Sequence, residues 1–424
     1  MGIVRRSLVL VVALALSGCW LEPGFGPERQ NFNPLEDQLT GDNVASLHQV
    51  WSTAWDTGGP PLVAADNSVY TGGLRRGSDA QSSFFFTVRA ANRTTGAPLW
   101  QRDVGSFGSA APAAANIGTI LSVGDDEVLT ATVATLQKLD PATGATTASL
   151  NLGSKLVNPA GVVANDDVIA GRQTNVSDFS SNLVVWRRDD FAVLWTAPLS
   201  TFDPLNESDD QVLIAGGRIY VHDNTPAGSV INAYDLNGCG AATCSPASVT
   251  PVPPPSTGQS TGQTRPLAVT DDGHVLLSRP SFEESSGNHA ELVALSSDGT
   301  SDWTFPLASL AGVAAAGDTV FAVGNADPTA PGNHLFALRA GTGDLLWQSE
   351  GTVDGLTPIA AGGLVYDGGT VFAAAGCGAA VCPPVAAVDL GPGGSPYGES
   401  VAAGTLYVNR AGPDGHLTAL QPTN

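Results

Sequence analysis

An all-β fold is predicted by three features of the sequence: eight copies of a hairpin-like unit, a glycine and proline content that favours turns, and a strand-like segment near the N-terminus with no local partner. Gly (50) and Pro (29) make up nearly a fifth of the 424 residues and only 14% are charged, which suits short strands joined by tight turns. A hydrophobic share of 42% supports a large core and excludes a disordered chain. The net charge of −22 excludes nucleic acid as a partner and disfavours anionic membrane surfaces, because both would be repelled.

The hairpin unit joins two apolar runs across an Asp, Asn or Gly turn. It reads LVAADNSVYTGG from 62, ILSVGDDEVLTAT from 120, VVANDDVIAG from 162, LIAGGRIYVHD from 213, LAVTDDGHVLLS from 267, GVAAAGDTVFAVG from 312, PIAAGGLVYDGG from 358 and ESVAAGTLYVN from 399. Tyr70, Leu129, Ile169, Tyr220, Leu276, Phe321, Tyr366 and Tyr407 hold one position in these units and recur about every 48 residues, a period of β-propeller blades. A third apolar run follows each hairpin. It usually leads through a glycine turn into a fourth run whose tryptophan lies four residues on, as in Gly96 and Trp100, Gly299 and Trp303, and Gly343 and Trp347. Trp195 holds the same place after the turn at 188–191. Four strands per unit and eight units predict an eight-bladed β-propeller, with seven blades and one degenerate unit as the alternative. The chain ends on three strands of the eighth unit, and HQVWSTAW (48–55), carrying Trp51, supplies the fourth. This N-terminal strand is expected to close the ring and remove its open edges.

Before that strand, Arg5 and Arg6 precede an apolar run from Leu8 to Leu16. The run is too short to span ~30 Å of hydrocarbon as a helix but fits an export signal. Leu16-Ser17-Gly18-Cys19 resembles a bacterial lipobox. The resemblance implies removal of residues 1–18 and diacylglycerol on the Cys19 thiol; an ordinary secretory signal with a chance cysteine is the alternative. Residues 20–43 have no hydrophobic period and contain three prolines, so 19–43 are expected to form a lipid-anchored tether and 44–424 the propeller. No further stretch of spanning length occurs, so lipid is the only anchor expected. The expected location is extracytoplasmic, on the cell membrane or on the periplasmic side of an outer membrane.

Cys239, Cys244, Cys377 and Cys382 would then lie in an oxidising compartment. Three connectivities are possible, and the shared patterns CGAATC and CGAAVC favour Cys239 with Cys244 and Cys377 with Cys382. Zinc is disfavoured, because four residues separate each pair and no histidine pair accompanies them. Both pairs fall at the third turn of blades four and seven, which lack the tryptophan, and are expected to compensate for it.

Catalytic signals are sparse. His48, His222, His274, His289, His334 and His416 show no metal-like spacing and read as surface or loop residues. The GQSTG match at 258–262 lies in a Pro/Thr/Ser-rich loop, where a nucleophile elbow needs a strand entering a helix. Asp pairs at 125–126, 166–167, 209–210 and 271–272 fall at or near turns, where Asp bonds its own backbone, so turn stabilisation is preferred to calcium binding.

The stretches ANRTTGAPLW, DPATGATTA and AGTGDLLW resemble the repeat of quinoprotein-like (PQQ-like) β-propellers, and NFNPLEDQLTGDNVASLHQVW resembles the segment preceding the first blade there. The resemblance covers about residues 30–421, with Asn92 and Arg339 where the repeat prefers Asp and Ala148 in place of the tryptophan. It implies that Trp51, Trp100, Trp195, Trp303 and Trp347 dock on neighbouring blades. The layout of lipobox, short tether and eight blades is similar to outer-membrane assembly lipoproteins of the BamB type. That implies a non-catalytic, monomeric scaffold for an envelope protein or cell-surface polymer. The family's dehydrogenases imply the alternative, a PQQ- and calcium-dependent oxidoreductase; their vicinal cysteine pair and calcium ligands are not evident here, and no cofactor is expected.

In a four-stranded blade the first and third turns share one side, and the second loops and blade connections share the other. Here the first set is tight. The second is long, at 74–83, 172–181, 200–210, 222–229, 251–264, 279–289 and 325–334. Partner binding is expected on this long-loop face around blades four to six, with Asp223, Glu283, Glu284 and Asp327 as candidate contacts. Tolerated insertions are the alternative.

Overall fold

The computed structural model describes residues 19–54, 61–64, 67–76, 84–107, 118–175, 177–200, 211–256, 258–260, 264–283, 287–296, 301–329, 332–390, 396–410 and 415–423. They form eight sheets, each antiparallel within its own blade. Blades one to seven span 62–107, 118–151, 155–199, 212–251, 259–307, 309–349 and 359–387. The eighth combines Pro396–Ala402, Thr405–Arg410 and His416–Pro422 with Leu47–Ala54, whose pairing runs from Leu47 opposite Pro422 to Ala54 opposite His416. Each inner strand touches the inner strand of the next blade, and Pro396–Ala402 touches Leu62–Val63, so the ring is closed.

Period-two patterning explains the blades. Inner strands such as Val212–Ala215 are buried throughout because they are flanked by neighbouring blades, whereas outer strands such as Thr146–Asn151 expose alternate residues. The tryptophans hold the ring together. Trp51, Trp100, Trp195, Trp303 and Trp347 each donate from the indole N–H to a turn carbonyl of the following blade: Arg93, Pro141, Leu236, Ala340 and Ala374 respectively, at 2.6–3.4 Å. Each indole abuts a turn glycine of that blade (Gly96, Gly144, Gly238, Gly343 and Gly376), where a Cβ would come within 3.0 Å of the ring. All five glycines have φ between 68° and 77°, so glycine is required both by the backbone and by the packing.

Both expected disulfides are formed, Cys239–Cys244 and Cys377–Cys382, but they do not substitute for absent tryptophans. Tryptophans missing from blades four and seven would serve the interfaces with blades five and eight. The disulfide loops lie instead at the preceding interfaces, where Trp195 and Trp347 already dock. Each loop pairs in parallel with the outer strand of the preceding blade: Cys244 N–H donates to Thr196 O at 2.8 Å, and Glu350 N–H donates to Cys382 O at 2.7 Å. The staples therefore cover an edge next to a docked indole.

Where blade two has Ala148 instead of tryptophan, Phe191 of the blade-three turn, with φ of 60° at the position that is glycine in the tryptophan-docked turns, is buried in one cluster with Ala148, and a charged group lies nearby. Glu127 accepts from Arg188 at 2.6 Å and pairs with Lys138 at 2.7 Å, all three being largely buried, while Arg188 also reaches Ser122 and Asn165 O. Burial raises the Glu127 pKa, and the Lys138 and Arg188 bonds outweigh it, leaving it below the ordinary value.

Several expected loops are strands. Residues 222–229 belong to a hairpin of Arg218–Thr225 with Gly228–Asp235, and 279–283 and 287–289 to the paired strands Val275–Glu283 and Gly287–Leu295. Their polar residues alternate along extended hairpins that satisfy their own backbone bonds, a period that a tally of Ser, Asp and Gly conceals.

Candidate functional site

The propeller axis holds the least anticipated feature. Residues 20–33, expected as part of a tether, run inside the ring and bond to all eight blades. In six blades one equivalent inner-strand N–H donates to a carbonyl of this segment: Val63 to Trp20, Val123 to Leu21, Ile214 to Pro27, Val269 to Glu28, Ala315 to Gln30 and Ala360 to Asn31, at 2.8–3.1 Å. In blade three the Arg29 guanidinium donates to Ala160 O and Val162 O at 2.8 and 3.1 Å, and in blade eight Asn33 Nδ2 donates to Val401 O at 2.8 Å. An innermost strand has an edge with no neighbour, and this segment supplies one to every blade in turn. Its small radius requires left-handed backbone at Gly24, Phe25, Arg29 and Asn31, with φ of 76°, 71°, 55° and 53°. Trp20 is 1% exposed and stacks edge-on against Phe25 at 5.2 Å. The plug corrects the tether reading: the segment lacks a hydrophobic period because its partners are eight separate strand edges, not one face. Further on, Glu36 accepts the N–H groups of Gln38, Leu39 and Gly404, so residues 36–46 take the place of a turn beside blade eight.

The plug divides the axis. Inner strands run from the long-loop face toward the tight turns, so residues preceding the plug contacts line the long-loop side. There a cup of about 280 Å³ is floored by Trp20, Arg29 and Asn31 and walled by residues including Gln211, Arg265, Thr357 and Glu399. A second cavity of about 490 Å³, lined by Phe25, Glu28, Tyr220 and Asp271, lies on the tight-turn side. Glu399 is 5% exposed, and neither of its carboxylate oxygens has a hydrogen-bond partner of normal geometry. Burial, then the charges of Asp367 and Asp354, push its pKa up to about 8. The Trp20 indole N–H is also buried without a partner.

The candidate contacts on the long-loop face separate. Asp327 is exposed, binding the Thr329 N–H at 2.8 Å, and Glu283 is half-buried with His289 at 3.9 Å. Glu284 lies outside the described residues. Asp223 is not a surface contact: it is 4% exposed and accepts the Ser200 N–H at 3.0 Å, because the hairpin turns it inward between blades three and four. Beside it His222, read from sequence as a surface or loop residue, is fully buried with both ring nitrogens unpartnered, and burial followed by the Arg172 charge pushes its pKa down to about 4. Strand alternation could not have revealed this, since Ile219 to Asp223 are buried on both faces of the strand. His274, by contrast, bridges Asp272 and Asp302 at 2.8 and 2.6 Å on the tight-turn side, and hydrogen bonds and charge from these two carboxylates outweigh burial in raising its pKa. Cys19 is buried in the uncleaved chain. Among the described residues no group of three or more His, Cys, Asp or Glu is arranged to hold a metal ion, and no helix is long and apolar enough to cross a membrane.

Residues 259–424 match the family model described as outer membrane protein assembly factor BamB. Eight closed blades decide the architecture. The chain is an eight-bladed β-propeller. Its fold is similar to that of quinohemoprotein alcohol dehydrogenase from Comamonas testosteroni (12% identity, TM-score 0.63, covering 96% of this chain and 82% of that one). It is similar also to BamB from Moraxella catarrhalis (16%, 0.52, 88% and 99%) and to a europium-containing methanol dehydrogenase (11%, 0.56, 95% and 92%). No curated protein matches the sequence. At these identities the likeness shows the fold alone, and function rests on the site.

Proposed function

We propose that the protein is a non-catalytic scaffold of the cell envelope, a monomer held by lipid at Cys19 after removal of residues 1–18. It presents the long-loop face and the axial cup to a protein partner or a cell-surface polymer. The observation carrying this reading is the plug: the chain's own residues 20–33 occupy the axis and leave a blind cup. That cup does not fit a quinone with its calcium ion. Its unpartnered acid, Glu399, is held neutral by burial, the donor set for a metal is missing among the described residues, and the sequence has no adjacent cysteines. The BamB family match over 259–424 agrees with a scaffold.

The second reading is a quinone-dependent oxidoreductase, favoured by the fold likeness to two dehydrogenases. One titration separates them. The purified protein should show no saturable binding of pyrroloquinoline quinone with calcium and no dye-linked alcohol oxidation; stoichiometric binding with turnover would establish the enzyme instead. For the scaffold, charge reversal at Glu283 and Glu284 with shortening of 251–264 should weaken capture of a partner crosslinked in envelope extracts and leave thermal stability nearly unchanged. Unaltered capture would remove the long-loop face as the docking surface.

A further inference from the structure

The plug also determines where an anchor leaves the molecule. Trp20 pairs antiparallel with Val63, whose strand runs toward the tight turns, so residue 19 lies on the tight-turn side of Trp20. The chain leaves the axis through the same mouth: Phe32–Asn33 run parallel to Ile359–Ala361, toward the tight turns. Trp20 is already fixed, with its N–H donating to Val63 O at 2.7 Å and Val63 N–H donating back at 2.8 Å. No free residue separates Cys19 from the plug.

We infer that the anchored propeller sits with its tight-turn face against the bilayer and its long-loop face and axial cup turned away from it. This rests on the lipid anchor proposed above. A tether of the expected 25 residues would permit any orientation, with a root-mean-square reach of roughly 25–30 Å; a pinned Trp20 removes that reach. The turns of that face expose Asp125, Asp126, Asp189 and Asp190. These carboxylates repel anionic lipid within about a Debye length of 8–10 Å. The surface it fits is therefore a zwitterionic bilayer, and the recognition face is left open to partners on the far side.

The test uses the full chain, processed and acylated in cells, purified and reconstituted into phosphatidylcholine vesicles. A fluorophore on Asp126→Cys reports the tight-turn face, and one on Asp327→Cys the long-loop face, about 30 Å away for strands of 8–9 residues. Headgroup nitroxide lipids should quench the first several-fold more than the second. Inserting twelve Gly/Ser residues between Cys19 and Trp20 should abolish the difference. Equal or inverted quenching overturns the orientation, as does an asymmetry that survives the insertion. Mass spectrometry of the same samples separates the two failures: Cys19 without acyl chains removes the anchor and this inference with it, whereas acylated protein with equal quenching overturns the orientation alone.

Discussion

Adding one methyl group at Gly343 should break the contact between blades five and six. Gly343 has φ of 71°, and a Cβ there would lie 2.7 Å from Cδ2 of Trp303, a side chain 7% exposed. Placing Ala in the left-handed region costs roughly 1–2 kcal/mol. The displaced indole also loses its bond to Ala340 O, 2.6 Å long, which contributes about 1 kcal/mol, together with part of its packing. Gly343→Ala should thus cost about 3–5 kcal/mol, close to the loss expected for Trp303→Ala. Once the indole is gone the methyl group has space, so Gly343→Ala in the Trp303→Ala background should cost only the backbone component, about 1–2 kcal/mol. The double-mutant cycle should therefore show a coupling of about 2–3 kcal/mol in urea denaturation. Additivity within about 0.5 kcal/mol would refute the reasoning, because it would mean that indole and glycine do not share one site.

Glu399→Gln should flatten the pH dependence of stability. The folded protein holds the Glu399 proton up to about pH 8, whereas the unfolded chain releases it near the ordinary value of 4.5; stability from this group is therefore full below 4.5 and falls as pH rises to about 8. Denaturation midpoints between pH 5 and 9 check it, and an unchanged slope would place the carboxyl in water. Glu127→Gln should destabilise the protein by roughly 3 kcal/mol, because it leaves the largely buried charges of Arg188 and Lys138 without their counter-charge. The same pair makes Glu127 a stabilising group above pH 4.5 whose contribution is lost as pH falls through its lowered pKa, so acid unfolding of the variant should be less steep. Reduction of both disulfides should cost about 2 kcal/mol each by releasing a short loop, and hydrogen exchange should rise first at Thr196, Gln348 and Glu350, on the strands that the loops cover.

The blades were legible because each is a local object. Alternating apolar runs, Asp/Asn/Gly turns and a tryptophan four residues past a glycine encode a four-stranded sheet within about 48 residues. The unmatched strand at 48–55 revealed ring closure for the same reason, since a missing partner is visible in sequence. Pairing of Cys239 with Cys244 and Cys377 with Cys382 followed from duplicated spacing. What those loops do was hidden, because the edge that each covers belongs to a different blade.

Tertiary structure alone decided the axis. The partners of residues 20–33 lie from about 40 to nearly 370 positions further along the chain, and they form a target only when eight inner strands converge. No period in the segment could record such contacts, for in six of the eight blades they run through its backbone carbonyls, which every residue possesses. Burial of His222 and Asp223 was decided the same way: whether a polar residue on a hairpin faces solvent or the next blade depends on the twist of the ring. The sequence by itself determined that strands, turns and docking residues repeat eight times. Convergence at the axis determined that the N-terminal segment is a plug, that Glu399 stands in a blind cup, and which end of the ring Cys19 leaves.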